Sequence, residues 1–172
     1  FIDVGQGDSA LLECDGHYML IDGGENTASN VEYTVLKNRG IDTLDYMVMT
    51  HAHSDHIGGL PGALNYAKVK VALSPVTSYD SKTFSNVVKY LDQQGTSITV
   101  PSVGDTYSLG EASVTVLGPT KDYDETNDTS IVLKVQFGST SFLFTGDQEA
   151  DAEKDLIASG ADLKADVLKV GD

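Results

Sequence analysis

Residues Thr50-His51-Ala52-His53-Ser54-Asp55-His56-Ile57-Gly58-Gly59 hold three of the chain's four histidines within six positions, with a carboxylate between them. Imidazole nitrogen combined with carboxylate oxygen suits zinc, and also manganese or iron. The apolar run Tyr46-Met47-Val48-Met49 just ahead reads as a buried strand. Side chains two apart on an extended chain point the same way. His51 and His53 would therefore grip one ion at the strand's end, and Asp55 and His56, at the next turn, would face a second beside it. A solvated histidine-rich loop is the plain alternative. That reading suits a lone histidine, but not four ligands at H-x-H-x-D-H spacing behind an apolar strand.

The surrounding pattern supplies elements able to hold such a group. Ser9 to Glu13 and His17 to Ile21 flank Asp15-Gly16, a strong hairpin signal. His17 follows that turn, has no ligand-type neighbours in sequence, and reads as a turn residue. Ala28 to Arg39 has helical spacing with Val31, Val35 and Leu36 on one face, and Gly40 supplies a stop. Asp55 begins a helix whose first turns are irregular because of Gly58, Gly59 and Pro61. Val69 to Leu73 is a buried strand, and Ser81 to Gln94 is an amphipathic helix with Phe84, Val87, Val88 and Leu91 inward. Ser97 to Val100, Thr106 to Leu109 and Ser113 to Leu117 read as short strands, followed by a polar, acidic loop from Thr120 to Asp128. Ile131 to Phe137 and Ser141 to Phe144 form a second hairpin, Glu149 to Ser159 is helical, and Ala165 to Val170 is a last strand. Hairpin-paired strands interrupted by helices imply mixed sheets covered by helices, an α/β class.

Composition narrows the functions. The 172 residues suit one domain with a sizeable core. No apolar run approaches the length of a membrane span, so no membrane contact is expected within this stretch. The chain opens inside a strand-like run, Phe1-Ile2-Asp3-Val4, and stops as another finishes, so both ends read as cut. The formal net charge of −15 counts against a broad basic face for nucleic acid. It leaves room for a short segment held mainly by metal ions. Cys14 is the sole cysteine, which rules out an intramolecular disulfide, and it reads as a packed small hydrophobe.

Two further stretches carry chemistry. Phe142-Leu143-Phe144-Thr145-Gly146-Asp147 delivers a carboxylate at the end of an apolar strand, as a ligand or as the N-cap of the helix that follows. Phe1-Ile2-Asp3-Val4-Gly5-Gln6-Gly7-Asp8-Ser9 brackets Gln6 with glycines, which on composition alone is a tight strand-to-strand turn. The hexad resembles the first metal motif of the metallo-β-lactamase superfamily. Asp3-Val4-Gly5-Gln6-Gly7-Asp8-Ser9 looks like the opening signature of the metallo-hydrolase domain of ComEC-type DNA-uptake proteins and their stand-alone relatives. Leu20 to Gly24, Asn127 to Ser130, Thr145 to Asp147 and Asp166 to Val170 match later blocks of that pattern in order, so the resemblance covers essentially the whole chain.

The resemblance implies a four-layer αβ/βα sandwich over residues 1–172, with the C-terminal part of its second half missing. It implies two divalent ions, zinc or manganese. His51 and His53 would bind the first, Asp55 and His56 the second, and Asp147 would bridge them. An anion between two close dications offsets their repulsion. Asp8 and Asp22 would stand behind the ligands, where a carboxylate that accepts a histidine's other N–H fixes its tautomer. Two departures stand out. Many members carry another histidine ahead of the strand that leads to the bridging aspartate, and here Asn127 and Asp128 take that place, as oxygen ligands or substrate contacts. The family pattern also continues with a histidine beyond Asp172. A hydroxide generated between the ions would attack a phosphodiester, with Asp55 orienting it or taking its proton. The expected partner is a phosphodiester substrate such as short or single-stranded DNA, and the expected setting is extracellular or cell-surface rather than cytoplasmic. The alternatives are a secreted phosphodiesterase acting on a surface-linked phosphoester such as phosphorylcholine, and a metal-binding domain without catalysis.

Overall fold

A computed structural model describes residues 1–171. Two five-stranded sheets face each other. The first contains β1 (Ala10–Cys14), β2 (His17–Ile21), β3 (Thr43–Val48), β4 (Lys68–Leu73) and β5 (Ile98–Thr99) in sequence order. β1 and β2 are antiparallel, and the remaining neighbours are parallel. The second runs β10-β9-β8-β7-β6, from β6 (Thr106–Leu109), β7 (Ala112–Gly118), β8 (Val132–Phe137) and β9 (Thr140–Phe144) to β10 (Val167–Lys169). Only β9 and β10 are parallel there.

Side chains alternate across each strand, and this sorts the core into layers. Leu20, Met47 and Ala72 face a helical layer made by α1 (Ser29–Arg39), α3 (Leu60–Tyr66) and α4 (Lys82–Gln93). Their sequence neighbours Met19, Ile21, Val48 and Leu73 face the second sheet and pack with Val114, Val116, Leu133 and Phe144. On the far side, Val132 and Leu143 pack under Leu156 of α5 (Ala150–Ala158). The order is helix, sheet, sheet, helix, as the resemblance implied. Because the central strands are covered on both faces, they read as near-continuous apolar runs.

The local expectations hold with some corrections. Asp15 and Gly16 both take positive φ, as a two-residue hairpin turn requires. Ser81 caps α4 by accepting from the Phe84 N–H at 3.0 Å. The helix expected from Asp55 onward is two pieces, α2 (Ser54–Ile57) and α3, because Pro61 sits in the first turn of a new helix. Val31 and Val35 are only partly buried, and Leu36 shares the fully buried positions of α1 with Glu32. His17 stands on the surface with its Nδ1 3.1 Å from the Asp45 carboxylate, away from the other histidines. Cys14 is partly buried and packs against the core between the sheets. No helix among the described residues is long and apolar enough to cross a membrane. Val167 and Leu168 on the last strand, and Val170 just past it, are exposed apolar residues.

Candidate metal centre

The site lies at one end of the sandwich, where β2, β3 and β9 finish. β3 ends at Val48, and residues 50–52 form a bend instead of continuing the strand. Backbone and side-chain hydrogen bonds set that bend. Thr50 N–H donates to Asp22 Oδ1 at 2.8 Å, Thr50 Oγ1 donates to Asp22 Oδ2 at 2.6 Å, and the Ile131 N–H from the second sheet donates to Thr50 O at 2.8 Å. His53 is the extended residue at the start of α2, and His56 lies one turn later. The bend and the helix turn bring the rings together. His51 and His56 ring centroids lie 4.2 Å apart, and those of His51 and His53 lie 4.9 Å apart. Strand alternation is therefore not what joins His51 and His53, although they do meet.

Ligand atoms of His51, His56 and Asp147 all lie within 4.8 Å of one another, and so do those of Asp8, Asp22 and His56. Asp55 stands beside them, with Oδ2 4.0 Å from His56 Nε2 and its side chain about 31% exposed. Asp147 does not cap α5; Glu149 takes that position. Gly146, at φ +55, turns the chain after β9 so that Asp147 faces the histidines. A Cβ at Gly146 would lie 2.7 Å from Ser130 and 3.1 Å from Thr50. Asp147 N–H donates to Ser130 Oγ at 3.1 Å, which fixes the turn.

Hydrogen bonding decides which nitrogen of each ring is free. The single hydroxyl hydrogen of Thr50 goes to Asp22, so its oxygen accepts from His51 Nδ1–H, 3.1 Å away. His51 Nε2 is then a bare lone pair. It is buried without a hydrogen-bond partner, 3.9 Å from Asp147 Oδ2. Burial, aided by the charge on His56, holds the His51 pKa down to about 4, so the ring is neutral. Two ligands of a tetrahedral zinc ion stand roughly 3.4 Å apart. An orphaned lone pair facing a carboxylate at nearly that spacing fits a divalent ion.

His56 is bound at both nitrogens. Nδ1 lies 2.9 Å from Asp22 Oδ2, and Nε2 lies 2.9 Å from Asp147 Oδ2. Burial opposes its charge, but hydrogen bonds and attraction from Asp147 and Asp22 raise its pKa to about 10. Asp147 is held well below the usual carboxylate range. Its partial burial works the other way, and the hydrogen bond and charge of His56 outweigh it. In effect a proton on His56 neutralises the carboxylates around it, the role a cation would take over. Asp22, at φ +58 and almost fully buried, serves the bend and the His56 tautomer together.

The remaining positions divide. Asp8 Oδ2 lies 3.9 Å from His56 Nδ1. The loop carrying Asp8 closes directly on α2, since a Cβ at Gly7 would lie 1.7 Å from the Asp55 backbone oxygen. Asn127 and Asp128 are engaged with the start of α5 instead: Asn127 Nδ2 donates to Glu149 Oε1 at 2.9 Å, and Asp128 Oδ1 accepts from the Glu149 N–H at 2.9 Å. Ser130 is the residue beside His51, with Oγ 3.4 Å from Nδ1. Asp172 lies outside the described residues. Lys169 and Thr50 belong to the site without having been singled out. The signal for Lys169 was a lone base inside the apolar run Val167-Leu168-Lys169-Val170, which must find a carboxylate if it is buried. A cleft of about 630 Å³ beside β1, lined by Leu12, Leu109, Val135, Phe137 and Phe142, contains none of these site residues.

The family model described as the metallo-beta-lactamase superfamily matches residues 2–172. ComE operon protein 3 of Bacillus subtilis is 30% identical over 189 residues, covering 99% of this chain and 24% of that protein. A ribonuclease Z of Alkaliphilus oremlandii is 34% identical over 83 residues, 48% of this chain and 25% of that protein. The chain thus spans about a quarter of the length of these relatives. Among solved structures, a metallo-beta-lactamase of Cronobacter sakazakii superposes with a TM-score of 0.68 at 14% identity, covering 96% of this chain and 72% of that one. The subclass B3 enzyme MEM-A1 from a soil metagenome gives 0.66 at 16% identity, covering 96% and 73%. At such identities the superpositions speak for the fold alone. With sequence, layering and histidine cluster in agreement, the chain belongs to the metallo-beta-lactamase superfamily, of the type found in ComE operon protein 3.

Proposed function

We infer that the chain is a metal-dependent phosphodiester hydrolase, a nuclease acting on short or single-stranded nucleic acid. The observation that carries the metal reading is the buried, unpaired Nε2 of His51 facing Asp147 and His56. The ribonuclease Z relatives support the phosphodiester class. In this reading His51 and His53 would hold one zinc or manganese ion, Asp55 and His56 would hold a second, and Asp147 would complete the set. Bound there, such ions supply an activated water at neutral pH and stabilise charge on phosphoryl oxygens.

The protein's own groups do the rest. Asp22 keeps His56 Nδ1 occupied, so that Nε2 is the nitrogen presented to the site. Thr50 does the same for His51. Asp55, the hexad carboxylate that reaches solvent, orients an incoming water or accepts its proton. The net charge of −15 favours a short strand or a small ester over a long duplex, and the phosphorylcholine-type ester remains the second reading on that ground.

Turnover of bis(p-nitrophenyl) phosphate by the zinc- or manganese-loaded protein tests the proposal. His53→Ala should abolish it while the circular dichroism spectrum is unchanged. Metal uptake with no turnover of any phosphodiester would point to a non-catalytic metal-binding domain. Fast β-lactam hydrolysis with inert phosphodiesters would overturn the proposal.

A further inference from the structure

Lys169 is the least expected group at the site. It lies on β10, in register with Phe144 of β9, and its side chain is only 12% exposed. Thr145 Oγ1 donates to the Lys169 carbonyl at 3.0 Å, which pins the strand there. The ammonium reaches three acceptors: Gly146 O at 2.9 Å, Asp147 Oδ1 at 3.3 Å, and the Asp8 carboxylate in close contact. An ammonium has three N–H donors, so all are used. A buried ammonium is costly to leave unpaired.

The consequence falls on Asp147. Its Oδ2 faces His56 at 2.9 Å and His51 at 3.9 Å, whereas its Oδ1 faces Lys169. The two oxygens are committed to opposite sides. We propose that Lys169 is a positioning residue that makes Asp147 a one-oxygen metal ligand, by holding Oδ1 away from the ions and aiming Oδ2 at them. The inference rests on the metal reading of the site given above. Charge alone argues for the opposite effect, because a fixed cation beside a dication site repels the ion and its removal should tighten binding. The two roles therefore differ in sign.

Cobalt(II) replaces zinc in nitrogen–oxygen sites, and its visible absorption responds to the number and arrangement of ligand oxygens. Cobalt(II) is titrated into the full chain and into Lys169→Met, with circular dichroism as a check on folding. The positioning role gives an altered visible band in the variant and binding weaker by about 10–100-fold, the range seen when a ligand loses its support. An unaltered band, or tighter binding, overturns the proposal while leaving the metal reading intact. A wild-type chain that takes up no cobalt overturns both. If Lys169→Met does not fold, the crystal structure of the metal-loaded wild type decides. Asp147 Oδ2 on the ion with Oδ1 still on Lys169 upholds the proposal, and both oxygens on metal with Lys169 turned away ends it.

Discussion

Asp22 sits at φ +58, a left-handed conformation that asparagine also tolerates, so Asp22→Asn changes the charge and leaves the turn in place. The substitution removes one of the two carboxylates holding His56 and weakens the acceptor for Thr50. Zinc affinity, read by competition with a chelating dye, should fall about 10–100-fold with the fold retained. Unchanged affinity would mean that the His56 tautomer is set by another group. The clustering of the three histidines and Asp55 was legible in the sequence because ligand-type residues crowd into six positions, a density that solvated loops lack. Asp147, Asp8 and Asp22 were legible only through resemblance, since single aspartates beside glycine occur in every turn. For Lys169 the apolar run around it hinted at a buried base, but not at its partners Asp147 and Asp8, which only the fold brings to it.

At the level of elements, α1 departs from its expected face. Glu32 is fully buried there, and neither carboxylate oxygen makes a hydrogen bond. Burial pushes its pKa up to about 7, partly offset by the Ser9 hydroxyl. Because the folded value exceeds the unfolded value of about 4.3, the folded state holds the proton more tightly between the two. This contribution to stability is full below about pH 4 and declines as pH rises toward 7. Glu32→Gln removes the dependence. Urea unfolding should show the variant gaining on wild type between pH 5 and pH 8, by on the order of 3 kcal/mol at most. A difference independent of pH would mean that Glu32 is already paired. Apolar spacing located α1 correctly because Gly40 stops it and Leu36 anchors it, but spacing cannot announce a buried carboxylate on the same face. The two strands expected to be longest relative to their real extent, around Ile98 and Leu168, were overrun for a related reason. Apolar runs report burial, whereas a strand ends where its neighbour's backbone does.

For the whole molecule, 26 acidic residues stand against 11 basic ones, and one of those bases, Lys169, is already bound by carboxylates. Metal-free protein should therefore bind a single-stranded oligonucleotide weakly, with a log–log salt slope of magnitude below about 2 by fluorescence anisotropy. A steeper slope would reveal a basic track among the remaining lysines. The two halves also meet at the site in a definite order. His56 and Asp147 are 91 positions apart, and the Thr50–Ile131 hydrogen bond likewise spans the two sheets. At ribosomal rates of about 5–20 residues per second, the histidine cluster exists for roughly 5–20 s before Asp147 has been made. During that interval His51, His53 and His56 are present on the nascent chain without the Asp147 carboxylate that faces them in the folded protein. Closure of the second sheet over the first then brings Asp147 to histidines made earlier, so an ion that reached them first would meet them before that carboxylate, and the order of synthesis would bear on which ion is kept.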